Sequence, residues 1–177
     1  MAATVQIVRL TGSGPTATDI TSINTRANAA DAHSTADTAS PVQVPTSGTN
    51  YSYWVVTRLN VTVAPSGTIN NLKWYTDGAN NLGTGVACKV STASGYVQAT
   101  GSAGTGTQLT TGNYATLAGA PSDAFAYTSG SPLSVTGTIT AATGQFGDRV
   151  VYQLEVGTTA GPGATGSETF TYKYDET

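Results

Sequence analysis

The chain has little with which to do acid–base or redox chemistry. Its 177 residues include one histidine, His33, and one cysteine, Cys88, with seven basic and ten acidic residues. Catalysis needs titratable groups held close together, so most enzyme classes lose their reagents here and a non-enzymatic role is expected. One cysteine excludes an internal disulfide, and stability has to come from packing and assembly. No stretch approaches the roughly 20 apolar residues of a membrane helix. The opening run, Met1-Ala2-Ala3-Thr4-Val5-Gln6-Ile7, has neither the basic nor the apolar region of a secretory signal, so none is expected. A net charge of −3 provides no basic face for a phosphate backbone. Neither nucleic acid nor membrane is therefore an expected partner.

Thr, Ser, Gly and Ala fill the chain instead. A hydrophobic content of 38% suffices for a core and suits a Thr-rich β-protein. Period-two alternation recurs while helical periodicity is nearly absent. Strands are predicted over Thr4–Leu10, Thr16–Ile23, Tyr51–Val63, Thr68–Thr76, Gly85–Val90, Tyr96–Ala99, Ala124–Tyr127, Leu133–Thr140, Arg149–Val156 and Ser167–Tyr174. Ala64-Pro65-Ser66-Gly67 reads as the turn of a hairpin joining Tyr51–Val63 to Thr68–Thr76. Many short strands separated by Gly, Ser and Pro indicate one all-β domain over residues 1–177, a jelly roll or similar antiparallel sandwich. Residues 24–45 differ. Ala is the only apolar type in Asn24–Ser40, and Pro41-Val42-Gln43-Val44-Pro45 is held extended by its prolines, so the segment is expected to be an irregular arm or loop. Gly101–Thr111, rich in Gly and Thr, reads as an exposed loop.

Each candidate site has a plainer reading beside it. Gly161-Pro162-Gly163-Ala164-Thr165-Gly166 fits G-x-G-x-x-G, but a β-pattern follows where a dinucleotide fold needs a helix, so a hairpin loop is expected. Asp77-Gly78-Ala79-Asn80-Asn81 is oxygen-rich, yet it offers about three ligands where Ca²⁺ takes six to eight, and a hairpin turn accounts for it. Asp31, His33 and Asp37 cluster without the imidazoles or thiolates a transition metal prefers. Asp77, Asp123, Asp148 and Glu155 could supply the carboxylate pair of a glycosidase, although turn and surface roles explain each. Cys88 reads as a small buried residue. No cofactor or metal is expected. Tyr53-Trp54-Val55-Val56 is apolar on both faces, so one face calls for cover by another layer or another subunit. Tyr53, Trp54 and Val56, with Val42 and Val44 of the arm, are the candidate interface residues, and a homo-oligomer, a trimer first of all, is expected.

Asn50-Tyr51-Ser52-Tyr53-Trp54, followed by Gly67-Thr68-Ile69-Asn70-Asn71-Leu72-Lys73-Trp74-Tyr75-Thr76-Asp77-Gly78-Ala79-Asn80 and Gly83-Thr84-Gly85, resembles a group of small virion structural proteins of tailed phages. The arm Pro41–Pro45 and the stretch Glu168–Glu176 are similar too. The resemblance is tight over about residues 41 to 85, looser at the end, and carries no catalytic residue. It implies a place in the virion, with the major capsid protein or another virion protein as partner. Within that setting the expected role is a capsid decoration, or cement, protein that stabilises the particle surface. The alternative is a receptor- or glycan-binding module of a tail or head fibre, which requires Trp74, Tyr75 or the Asp77–Asn81 loop to be exposed.

Overall fold

Two of the strongest alternating runs become the spine of the molecule. The computed structural model describes residues 2–36 and 38–177. In it β4 (Val55–Val63) lies between β1 (Thr4–Thr11) and the 14-residue β12 (Gly144–Gly157). Strands β2 (Thr16–Asp19), β6 (Val86–Ala93) and β9 (Ser122–Asp123) extend this sheet in the order β2-β1-β4-β12-β6-β9, and β3 (Thr49–Tyr51) pairs with the last residues of β12 beside β4. A second sheet of four strands centres on β5 (Thr68–Tyr75). Strand β13 (Thr171–Glu176) occupies one edge of β5, and β10 (Leu133–Ser134) and β11 (Ile139–Thr140) share the other. A small hairpin, β7 (Gly101–Ser102) with β8 (Thr105–Gly106), completes an all-β fold whose pairings are antiparallel throughout.

The larger sheet is buried on both faces. Val55, Leu59, Val61, Val150, Tyr152 and Leu154 point toward the smaller sheet, where Ile69, Leu72 and Trp74 meet them. The opposite face carries Val8, Leu10, Trp54, Val56 and Val151, and this chain covers it with Ala99, Leu109 and Tyr114 from the connection between β6 and β9. Removing this much apolar surface from water is the principal force holding the layers together. Trp54 anchors the cover: its indole N–H donates to Val97 O at 3.0 Å, and its ring meets Tyr114 edge-on at 5.4 Å. Gln153, 1% exposed, ties the same connection down. Its Nε2 donates to Ser52 O (2.7 Å) and Thr107 O (2.8 Å), and its Oε1 accepts from Leu109 N (2.6 Å). Gln153 thus binds the break between β3 and β4 to the covering loop.

Several expected elements are redrawn. Tyr51–Val63 is not one strand, because Ser52–Trp54 interrupt the ladder between β3 and β4. β4 and β5 do not form a hairpin. Both edges of β4 are already taken, by β1 and β12, so Ala64–Gly67 carries the chain from one sheet to the other. Asp77–Asn81 and Gly161–Gly166 likewise connect sheets, and neither closes a hairpin. Ala124–Ala126 forms a 3₁₀ turn where a strand was expected, capped by Asp123 Oδ1 accepting from Phe125 N at 3.1 Å. Tyr96–Ala99 has no ladder partner. The second strand stops at Asp19, whose Oδ1 accepts from both Thr21 N and Thr21 Oγ1 and turns the chain.

The predicted strand Leu133–Thr140 is split by a crossing of two backbones. Gly137 has φ +141°, and a Cβ there would sit 2.2 Å from Gly147 Cα. Asp148 N donates to Thr136 O at 2.6 Å, and Arg58 Nε donates to Gly147 O at 2.7 Å, pinning the crossing over the irregularity between Phe146 and Val150. Gly137→Ala is therefore expected to lower unfolding stability by about 3 kcal/mol, the upper range for a strained backbone position. A denaturant titration with an unchanged midpoint would show that the crossing relaxes freely.

Candidate functional site

A cavity of about 970 Å³ opens between the two sheets on the β1–β2 side. Its floor is aromatic: Trp74, Tyr152, Phe170 and Tyr172. Phe170 packs at 5.0 Å from Trp74 and at 4.8 Å, edge-on, from Tyr152. The Tyr172 hydroxyl lies 2.9 Å from Thr57 Oγ1, which donates to Val150 O. Burial pushes both the Tyr152 and Tyr172 phenols above their ordinary pKa, so each stays a neutral hydroxyl. One wall is the segment around residues 20–44 and the other is the connection from β12 to β13. Two of the few large apolar side chains exposed among the described residues, Ile23 (48%) and Val44 (40%), belong to this cavity.

The segment over residues 24–45 is held on its own sheet without forming a strand or helix among its described residues. Arg9, 1% exposed, reaches up from β1 and donates through Nη1 to Thr25 Oγ1 and Arg26 O, both at 2.7 Å. Burial works against its charged form, and the nearby Asp31 carboxylate partly offsets this. Asn28 O accepts from Tyr53 N, and Asn28 Nδ2 donates to Ala39 O. Arg9 Nε and Asn28 Oδ1 are buried without hydrogen-bond partners.

The residues singled out in the sequence scatter over the molecule. Trp54 and Val56 are buried beneath the β6–β9 connection, so of the two covers expected, another layer or another subunit, this chain supplies the layer. Tyr53 is half-buried beside the same cluster, while Val42 and Val44 line the cavity on the other side of the sheet. Trp74 is 1% exposed and faces inward, so its ring offers no platform to a sugar. In the exposed Asp77–Asn81 loop, Asp77 Oδ1 accepts from Ala79 N and Asn80 Oδ1 from Leu82 N, an arrangement of local turns. Asp31 Oδ2 accepts from Gly12 N, and His33 Nδ1 lies 3.1 Å from Thr25 Oγ1. Asp37 lies outside the described residues. Burial and the Arg9 charge lower the His33 pKa. Among the described residues, no group of three His, Cys, Asp or Glu side chains is placed to hold a metal.

The carboxylate candidates are also apart in role. Asp123 caps the 3₁₀ turn, Asp77 closes its loop and Glu155 lies on β12 opposite Ala87 and Tyr51. Glu168 is the one carboxylate lining the cavity among the described residues, and it accepts from Asn81 N. Cys88 is fully buried, and burial with nearby carboxylates pushes its thiol far above the ordinary range. The native protein is therefore expected to leave a thiol reagent such as DTNB unreacted until it unfolds. Rapid stoichiometric labelling without denaturant would contradict that burial.

Sequence reasoning did not anticipate the cavity. Phe170, Tyr152 and Tyr172 were legible as strand residues, but their convergence depends on β12 and β13 lying in different sheets. The Gly- and Pro-rich stretch Gly161–Gly166 between them was the available signal, a connection with too little apolar content to seal the space it borders. Comparison with protein-family models, with curated proteins and with solved structures finds no match for this chain.

Proposed function

We propose that the protein is a non-enzymatic structural protein of a phage virion, binding and stabilising the particle surface as a capsid decoration protein. The resemblance over residues 41–85 names the setting, and the observation that carries the reading in the structure is the self-covered larger sheet. With both faces buried by its own chain, the domain is a rigid β-unit displaying Thr, Ser and Gly, the surface an accessory shell protein presents. Few charges need desolvating when such a surface meets a neighbour. The jelly-roll description belongs with this proposal: two antiparallel sheets face each other and the chain passes between them after β4, β5, β9, β11 and β12. The major capsid protein, or another virion protein, is the partner in this reading, and the virion is the location.

A homotrimer loses part of its support. The doubly apolar strand, which called for cover by another layer or another subunit, is covered from within and no longer argues for a closed oligomer. Light scattering on the purified protein decides this separately from the main proposal. The main test mixes the protein with particles that lack it, sediments them and then heats them. Saturable co-sedimentation with a higher temperature of DNA release is expected. Absence of binding to particles, together with tight binding to a glycan array, would move the assignment to a receptor-binding module.

A further inference from the structure

The cavity between the two sheets has the size and the lining of a small-molecule site. Its volume of about 970 Å³ falls within the usual range of such sites, about 300–1,000 Å³. Ordinary interiors hold few voids larger than a water molecule. Ile7 of β1 and Leu154 and Val156 of β12 continue the apolar lining beyond the aromatic floor. The lining has no net charge: among the described residues, Arg26 and Glu168 are the ionised side chains that border it. Beneath the arm wall, the Arg9 charge has the Asp31 carboxylate near it. A charged occupant would therefore find no surplus of opposite charge to offset its removal from water. A second copy of this chain is also a poor occupant. Of its exposed large apolar side chains, Ile23, Val44 and Val63, the first two belong to the cavity itself.

The polar groups of the lining define the rest of the occupant. Thr57 Oγ1 gives its proton to Val150 O, so the Tyr172 hydroxyl donates to Thr57 and keeps its own lone pairs as acceptors. On the arm wall, Asn28 keeps a buried Oδ1 with no donor among the described residues. Both positions can accept from an occupant. An ammonium donor would bring a charge, and a hydroxyl would not. We propose that this cavity binds a neutral, largely apolar small molecule with a flat ring body and one hydroxyl, an aromatic alcohol or phenol. The ring packs against the aromatic floor, where offset and edge-on contacts are favoured. The hydroxyl donates to the Tyr172 oxygen. A sugar is a poorer fit, because most of its hydroxyls would lie against Ile7, Leu154, Val156 and the rings without partners. The inference does not depend on the virion reading.

The test uses three probes on the full chain: 2-naphthol, 2-methylnaphthalene, which has a methyl group in place of the hydroxyl, and 2-naphthoate, which has a carboxylate there. Titration calorimetry is expected to show one saturable site for 2-naphthol, with shifts in the amide resonances of residues 170–172. Ala164→Trp places a large ring on the cavity wall and should weaken that binding by about tenfold or more. Thr165→Trp serves in its place if the first variant does not melt like the parent. Tyr172→Phe keeps the ring and removes the acceptor. It should weaken 2-naphthol about fivefold and leave 2-methylnaphthalene unchanged. 2-Naphthoate should bind about tenfold more weakly than 2-naphthol. Five results overturn the proposal: no saturable binding of 2-naphthol, binding indifferent to the wall variant, 2-naphthoate binding as tightly as 2-naphthol, no selective loss of 2-naphthol in Tyr172→Phe, or self-association of the chain that protects the amides of residues 170–172.

Discussion

Gln153→Ala is expected to lower unfolding stability by about 4 kcal/mol, combining three lost hydrogen bonds with a cavity in the core. The reason is what the side chain leaves behind. Ser52 O, Thr107 O and Leu109 N all bond to this one amide. Removing it strands two acceptors and one donor in a region without solvent, and each carries its own desolvation penalty. For a domain of this size the loss corresponds to roughly 10 °C in the midpoint of thermal unfolding. Gln153→Glu sharpens the argument through pH. The introduced carboxylate sits against two carbonyl oxygens, so its folded pKa must lie above its unfolded value. The variant is then most stable at low pH, where the acid is neutral in both states, and loses stability as pH rises through its folded pKa. A flat pH profile relative to the parent would mean that the carboxylate escapes to solvent and that the buried network is misdescribed.

The second large effect is expected at Trp54. Trp54→Ala removes a buried indole, its bond to Val97 O and its contact with Tyr114, and should destabilise by about 4 kcal/mol, within the range for large-to-small core changes. Its signature is local as well as global. The connection from β6 to β9 should become the first site of proteolytic cleavage, and the uncovered face with Val8, Leu10, Val56 and Val151 should drive association. Tyr114→Phe isolates the polar part, since it removes the hydroxyl that donates to Gly95 O at 3.0 Å and leaves the ring in place, and should cost about 1 kcal/mol. Comparable losses from both variants would place the anchoring in the hydroxyl and not in the ring packing.

How much of this was readable beforehand follows from what each signal measures. Alternation reports which residues are half-buried in extended backbone, and it located β1, β4, β5, β6, β12 and β13 to within a few residues. It does not report which edge a strand offers to which neighbour. Ala64-Pro65-Ser66-Gly67 has the chemistry of a turn whether the chain doubles back in one sheet or steps to the next, and only the occupancy of both β4 edges settles it. The apolar character of Trp54 and Val56 correctly called for cover. The source of that cover was hidden because residues 94–121 have the composition of an exposed loop, with Ala99, Leu109 and Tyr114 spaced too irregularly to mark a buried face. The cavity was invisible for the same reason: it is made by segments distant in sequence, and no local pattern encodes their approach.

The position of β12 also sets an order of events. Residues 144–157 supply the neighbour that β3, β4 and β6 share, so those strands cannot join into one layer until most of the chain is present. β1 and β4 can meet early, but they close a loop of some fifty residues to do so, and β4 waits about eighty residues more for its other neighbour. Such pairing gives high contact order and places refolding on the order of milliseconds to seconds, not microseconds. During that interval the apolar strand Val55–Val63 stands with an open edge, the period in which a folding chain is most exposed to aggregation.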